Sequence, residues 1–158
     1  MSCPENEPEE QEPICGDLTR MPDPTTFSVM EGDFEGYPMV AMIREELQDY
    51  EPKSSTPWFL GFSSPLSNPT PEGLPTAKEA DDLNRWEDVV DREISSRCKS
   101  VFVGRVTWKG NRELLYYIDE PGQIIPQIQK LIDSRTLRPF AFRYEQDAEW
   151  SNVSIYLR

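Results

Sequence analysis

Residues 101–118 read VFVGRVTWKGNRELLYYI, and this stretch decides the fold. Its first eight residues, VFVGRVTW, are rich in β-branched and aromatic side chains and predict a strand. Lys109-Gly110-Asn111 makes a tight turn, with Gly110 free to take a positive φ. RELLYYI then returns as the partner strand. Gly104 interrupts the first strand, and the apolar parity switches there from positions 101 and 103 to 106 and 108. A β-bulge at Gly104 accounts for the switch.

Helices flank this hairpin in sequence. Upstream, Thr76-Ala77-Lys78-Glu79 is a capping box, a pattern that satisfies free amides of a first helical turn. Leu83, Trp86, Val90 and Ile94 follow at steps of three, four and four and form one apolar stripe. Asp81–Arg85, Asp88–Arg92 and Glu93–Arg97 set acid before base at i,i+4. The spacing predicts a helix over 76–97. Downstream, Asp119-Glu120-Pro121 places acids at the positive end of a second helix. Ile124, Ile125, Ile128, Leu131 and Ile132 form its buried face. Pro126 is tolerated only in the first turn, so regular helix starts as late as residue 125.

Proline placement divides the rest. Twelve of the 15 prolines precede Thr76, which predicts strands and loops there, since proline breaks helix interiors. Residues 27–31 and 37–44 read as a hairpin around the turn residues 32–36, and 57–62 (PWFLGF) as a third strand. Residues 140–144 (FAFRY) and 153–157 (VSIYL) read as two final strands. The order β-β-β-α-β-β-α-β-β predicts an α+β protein. The expected architecture is a mainly antiparallel sheet with two helices packed on one face, of ferredoxin-like, split βαβ character with extra hairpin strands.

Residues 1–22 carry six acids, one base and four prolines, with no periodic apolar face. They read as a disordered acidic tail ahead of a single domain over 23–158. The tail lacks the basic and apolar regions of a signal peptide, and no run approaches a membrane span. Cytoplasm is the expected location. Cys3, Cys15 and Cys98 fit no metal or redox spacing.

The whole chain has 29 acidic and 16 basic side chains, a formal charge of −13, and no histidine. Every mechanism that needs imidazole is excluded, from Ser-His-Asp triads to His-ligated zinc. Nucleic-acid binding is disfavoured because a phosphate backbone demands a basic face. Carboxylates scattered around the first helix do not converge as a hard cation requires, so neither metal nor cofactor is expected.

The run FVGRVTWKGNRELLYY over residues 102–117 resembles the signature hairpin of domain-of-unknown-function family six-nine-five. Asp147-Ala148-Glu149-Trp150 is similar to that family's acidic-x-x-tryptophan element. The Pro57-Trp58 strand and the Gly73-Leu74-Pro75-Thr76 helix entry also fit. The resemblance covers roughly residues 25–158. It implies a bacterial domain without established activity, sometimes fused to a domain similar to a small acidic regulator of ribonuclease E. It implies no catalytic residues.

Three functions remain open. The first is a non-catalytic binding or regulatory module whose acidic surface meets a basic protein partner. The second is a small-molecule or anion-binding module, in which the forked guanidinium groups of Arg105 and Arg112 meet nearby aromatics. The alternative for these arginines is pairing with Glu113, Glu145 or Asp147. The third is a hydrolase with paired carboxylates. The candidate ligand or partner surface comprises Arg105, Arg112, Tyr116, Trp108, Trp150 and Asp147; Trp108 and Trp150, at strand ends and in loops, are expected to pack in the core or its rim, with exposure as the alternative. The partner's identity and the oligomeric state are not legible from the sequence.

Overall fold

The computed structural model describes residues 27–47 and 52–157. The acidic tail expected over 1–22, with Cys3 and Cys15, lies outside the described residues. Six strands form one sheet: β1 (Phe27–Phe34), β2 (Tyr37–Arg44), β3 (Trp58–Pro65), β4 (Ser100–Trp108), β5 (Asn111–Ile118) and β6 (Ala141–Gln146). Two helices, α1 (Ala77–Ser95) and α2 (Ile125–Ser134), complete an α+β fold.

The spatial order is β1-β2-β4-β5-β3-β6, and every neighbouring pair is antiparallel. Helix α1 joins β3 to β4 across β5, and α2 joins β5 to β6 across β3. These are two interleaved split β-α-β connections, with the β1–β2 hairpin added beside β4.

The bulge lies where the parity of the sequence breaks. The β4–β5 register shifts between Phe102 and Gly104. A Cβ at Gly104 would run into the Met42 carbonyl and approach the Ile43 side chain at 2.7 Å. Glycine is therefore required by packing against β2. The shift keeps Val101, Val103 and Val106 in one core while Phe102 joins the other.

Both helices pack on one face. Leu83, Trp86, Val90 and Ile94 of α1, with Ile124 and Ile128, meet Leu60, Phe62, Phe102, Leu114, Tyr116 and Ile118 of the sheet. Burying each such side chain contributes roughly 1.5–3 kcal/mol. The opposite face is covered without a long helix. Leu47, Trp150 and Val153 close over Phe59, Val101, Val103, Leu115 and Tyr117.

Several boundaries differ from the sequence reading. Residues 153–157 are not a strand; Ser151–Tyr156 is a 3₁₀ helix. Trp150 turns the chain with φ 60°, and the Asp147 carboxylate accepts the amides of Ser151 and Asn152 at 2.9 Å each. Val153 and Tyr156, three residues apart, then share one side of the turn, with Val153 in the helix-free core. Strand β1 runs on to Phe34 because the chain reverses at Glu35-Gly36 alone, with φ 52° and 84°. The capping box is half made: Thr76 Oγ1 accepts the Glu79 amide at 3.2 Å, but the Glu79 carboxylate turns to other partners. Arg85 pairs with Asp82 at 2.8 Å, not with the expected Asp81.

Candidate functional site

The six residues singled out from sequence do not converge. Arg105, Arg112 and Tyr116 turn toward the helices. Arg112 Nη1 donates to Glu87 Oε2 at 2.7 Å, and its Nε donates to Thr107 Oγ1 at 2.6 Å. Arg105 Nε lies 3.4 Å from Glu87 Oε1 without hydrogen-bond alignment. Glu87 comes from α1, so neither arginine uses the expected Glu113, Glu145 or Asp147. Burial pushes the Glu87 carboxyl up, against the pull of both arginines. The Tyr116 hydroxyl donates to Asp91 at 2.9 Å, and burial, then Asp91, raises its pKa well above the usual phenol value. This polar layer ties α1 to the sheet and leaves no cradle between the two guanidinium groups for an anion.

Asp147 and Trp150 lie on the opposite face. The Tyr117 hydroxyl donates to Asp147 Oδ2 at 2.6 Å. Burial raises the Asp147 carboxyl, but Tyr117, Asn152 and Ser151 outweigh it and hold the pKa at about 2. Trp150 is buried, stacks on Tyr117 with ring centroids 4.3 Å apart, and donates Nε1–H to the Thr56 carbonyl at 3.1 Å. Of the two readings, exposure or core packing, Trp150 takes the second: its ring seals the helix-free core.

Another charged knot sits at the start of α1. Glu79 accepts from the Ser67 amide (2.6 Å), the Ser67 hydroxyl (2.9 Å), the Asn68 amide (3.1 Å) and Arg138 Nη2 (2.6 Å). Burial raises this carboxyl, but Arg138 and the Ser67 and Asn68 donors hold it at about 2. The hollow beside it, about 490 Å³, is lined by groups such as Glu79, Asp82 and Arg85 that already engage one another or Arg138. Cys98 is pushed to about 11 by burial and by Asp119 and Glu120, which leaves it a thiol at neutral pH. No group of three metal-ligating side chains occurs among the described residues.

The strongest candidate site is a groove on the helix-free face at the β1 end of the sheet. Its apolar half, a hollow of about 190 Å³, lies between β1, β2 and the 3₁₀ helix and is lined by Met30, Phe34, Met39, Ala41, Ile155 and Tyr156. An adjoining hollow of about 350 Å³ shares Phe34, Met39 and Tyr156 and adds Trp108, Lys109 and Glu113. Trp108 donates Nε1–H to the Phe34 carbonyl at 3.1 Å and meets the Phe34 ring edge-on at 6.1 Å. It therefore joins the two hairpins and is half-buried in the groove wall. Lys109 lies between the Tyr37 and Trp108 rings, with Glu35 3.8 Å away.

Of the five large apolar side chains exposed among the described residues, three cluster here: Met30 (40%), Phe34 (55%) and Ile155 (50%). A contiguous exposed apolar patch marks an interaction surface or a ligand-binding groove. Lys109 and Glu113 border it, and the edge strand β1 carries Glu31 and Asp33 on its reverse face. The Glu113 side chain is half-buried, and its carboxylate accepts no hydrogen bond from any described residue; burial raises its pKa, opposed by Arg143. Burial also raises Tyr156, which Glu113 reinforces. Perturbed groups in an apolar cleft fit a binding site.

Residues 27–157 match the model described as Family of unknown function (DUF695). The chain belongs to this family. No curated protein and no solved structure matches it. The DUF695 signature hairpin divides by face. Arg105, Arg112 and Tyr116 meet α1, Thr107 accepts from Arg112, Tyr117 holds Asp147, and Trp108, Lys109 and Glu113 open onto the groove. Sequence reading reached Trp108 but missed Met30, Phe34, Glu113, Ile155 and Tyr156. The available signal was the crowding of apolar and acidic residues in FSVMEGDF, residues 27–34. No helix among the described residues is long and apolar enough to cross a membrane.

Proposed function

We propose that this DUF695 domain is a non-catalytic binding module that receives a basic segment of a partner protein in the groove between β1, β2 and the 3₁₀ helix. The observation that carries the reading is the exposed apolar cluster Met30, Phe34 and Ile155, bordered by Glu113 and by the edge strand β1, whose reverse face bears Glu31 and Asp33. An apolar side chain of the partner would fill the hollow, and its lysines or arginines would face these acids. The net charge of −13 adds long-range attraction, which speeds encounter and weakens as salt rises. The Arg105–Arg112 anion reading loses its basis in Glu87, which occupies both arginines.

A photoreactive phenylalanine analogue at position 34, compared with one at the exposed Lys130 of α2, tests the site in lysate of the source cells. The expected result is a cross-link to a protein segment rich in lysine or arginine, formed from position 34 at low salt and lost at high salt. Equal labelling from both positions, or none from position 34, would overturn the reading.

A further inference from the structure

We infer that the groove takes its partner by strand addition along the free edge of β1, and that it selects a segment in which apolar and basic residues alternate. This inference rests on the binding reading above and specifies its mode. Strand β1 ends the sheet order and pairs only with β2 among the described residues. Its two-residue turn makes Phe34↔Tyr37 the closing pair of the hairpin. A closing pair of this kind exchanges both backbone hydrogen bonds, and alternate pairs follow suit. Residues 34, 32, 30 and 28 therefore face β2. Phe27, Val29, Glu31 and Asp33 turn their N–H and C=O groups outward, the template that strand addition uses.

The same alternation sorts the side chains. Met30 and Phe34 flank Gly32 on the groove face, and a Cβ at Gly32 would meet nothing within 4 Å. Glycine there leaves a recess between two exposed apolar side chains. Val29, Glu31 and Asp33 project to the other face and are exposed. An added strand places its own side chains beside these rows with period two. Apolar residues would enter the Gly32 recess, and lysines or arginines would lie beside Glu31 and Asp33. The far edge, β6, carries both signs in Arg143 and Glu145 and offers no such pattern.

A second copy of the chain is disfavoured as occupant. Antiparallel self-pairing of β1 centred anywhere from residue 30 to 33 sets Glu31 or Asp33 opposite or diagonal to an acid of the copy. Like charges so placed destabilise the pair. The segment before β1 is likewise acidic and proline-rich, short of both the charge and the N–H groups required.

The probes are two fluorescent eight-residue peptides, one of alternating lysine and valine, the other a shuffled isomer with the lysines in one block. Anisotropy titration at low salt should give at least about tenfold tighter binding for the alternating peptide, as expected for several added backbone hydrogen bonds. Methylating alternate peptide nitrogens should abolish binding in one frame and spare it in the other. That test leaves the protein unaltered. Glu31→Pro removes an outward N–H that β2 does not use, and Gly32→Leu fills the recess; each should weaken the alternating peptide and leave the melting temperature near that of the parent.

Equal affinity for both peptides, both lost in Met30→Asp, would overturn strand addition while sustaining the groove. No binding of either peptide would overturn both. A dimer of the free protein that Glu31→Pro dissociates would overturn the choice of partner.

Discussion

Replacing Glu79 by Gln isolates the knot that anchors α1 to the β3–α1 loop and to the chain before β6. The carboxylate is 5% exposed and accepts four hydrogen bonds, two from backbone amides, one from the Ser67 hydroxyl and one from Arg138. Glutamine keeps the volume but turns an NH₂ group toward donors and leaves Arg138 without its closest counter-charge. The fall of the Glu79 pKa from 4.5 to about 2 corresponds to about 3 kcal/mol, at about 1.4 kcal/mol per pH unit. Because the folded value lies below the unfolded one, this stabilisation is complete above about pH 4.5 and is lost as pH falls toward 2. Urea unfolding followed by circular dichroism at pH 7 should show a midpoint lowered by about 1–3 M, for a slope of about 1–3 kcal/mol/M. The gap between parent and variant should shrink steadily from pH 5 and nearly close at pH 2. A variant within about 0.5 kcal/mol of the parent at pH 7, the scatter of ordinary surface changes, would refute the reasoning. So would a gap that ignores pH.

Three further outcomes follow. Glu113 has the opposite sign: its folded pKa is raised by burial, so its charge opposes folding at neutral pH and the penalty vanishes below its unfolded value. Glu113→Gln should therefore raise the urea midpoint at pH 7, match the parent near pH 3, and weaken binding of the alternating peptide. Gly104→Ala forces a Cβ against Met42 and Ile43 and should cost about 1–3 kcal/mol or more, read as a lower melting temperature. Trp150→Ala removes the ring stacked on Tyr117 and the bond to Thr56; a loss of about 3–5 kcal/mol is expected from urea titration, the range for large aromatic deletions in cores.

Local pattern and strand order differ in how far sequence reveals them. The helix stripe of Leu83, Trp86, Val90 and Ile94 and the bulge at Gly104 were legible because each is written in the spacing of neighbouring residues. The final segment was misread because VSIYL alternates as a strand does, while Trp150 and Asp147 turn it into a 3₁₀ helix by long-range contacts with Thr56 and Tyr117. The arginines failed as a ligand site for a related reason. Their counter-charge, Glu87, is 18 and 25 residues away in sequence, on the face of α1 that turns to the sheet. On a helical wheel it looks like one more acid of a charged helix. The groove was invisible because it depends on β1 being an edge strand and on the last turn folding beside it, and neither fact resides in any short window. Trp108, the acidity of the chain and the crowding of apolar and acidic residues over 27–34 pointed toward it without locating it.

Amide hydrogen exchange of the isotope-labelled protein, with and without saturating alternating lysine–valine peptide, tests the central claim most directly. The account predicts slowed exchange at Val29, Glu31 and Asp33, whose N–H groups face outward, with little change at Met30 and Gly32, which already bond to β2. Peptide binding that leaves those three amides unprotected, or that protects the acidic face of α1 instead, would contradict it.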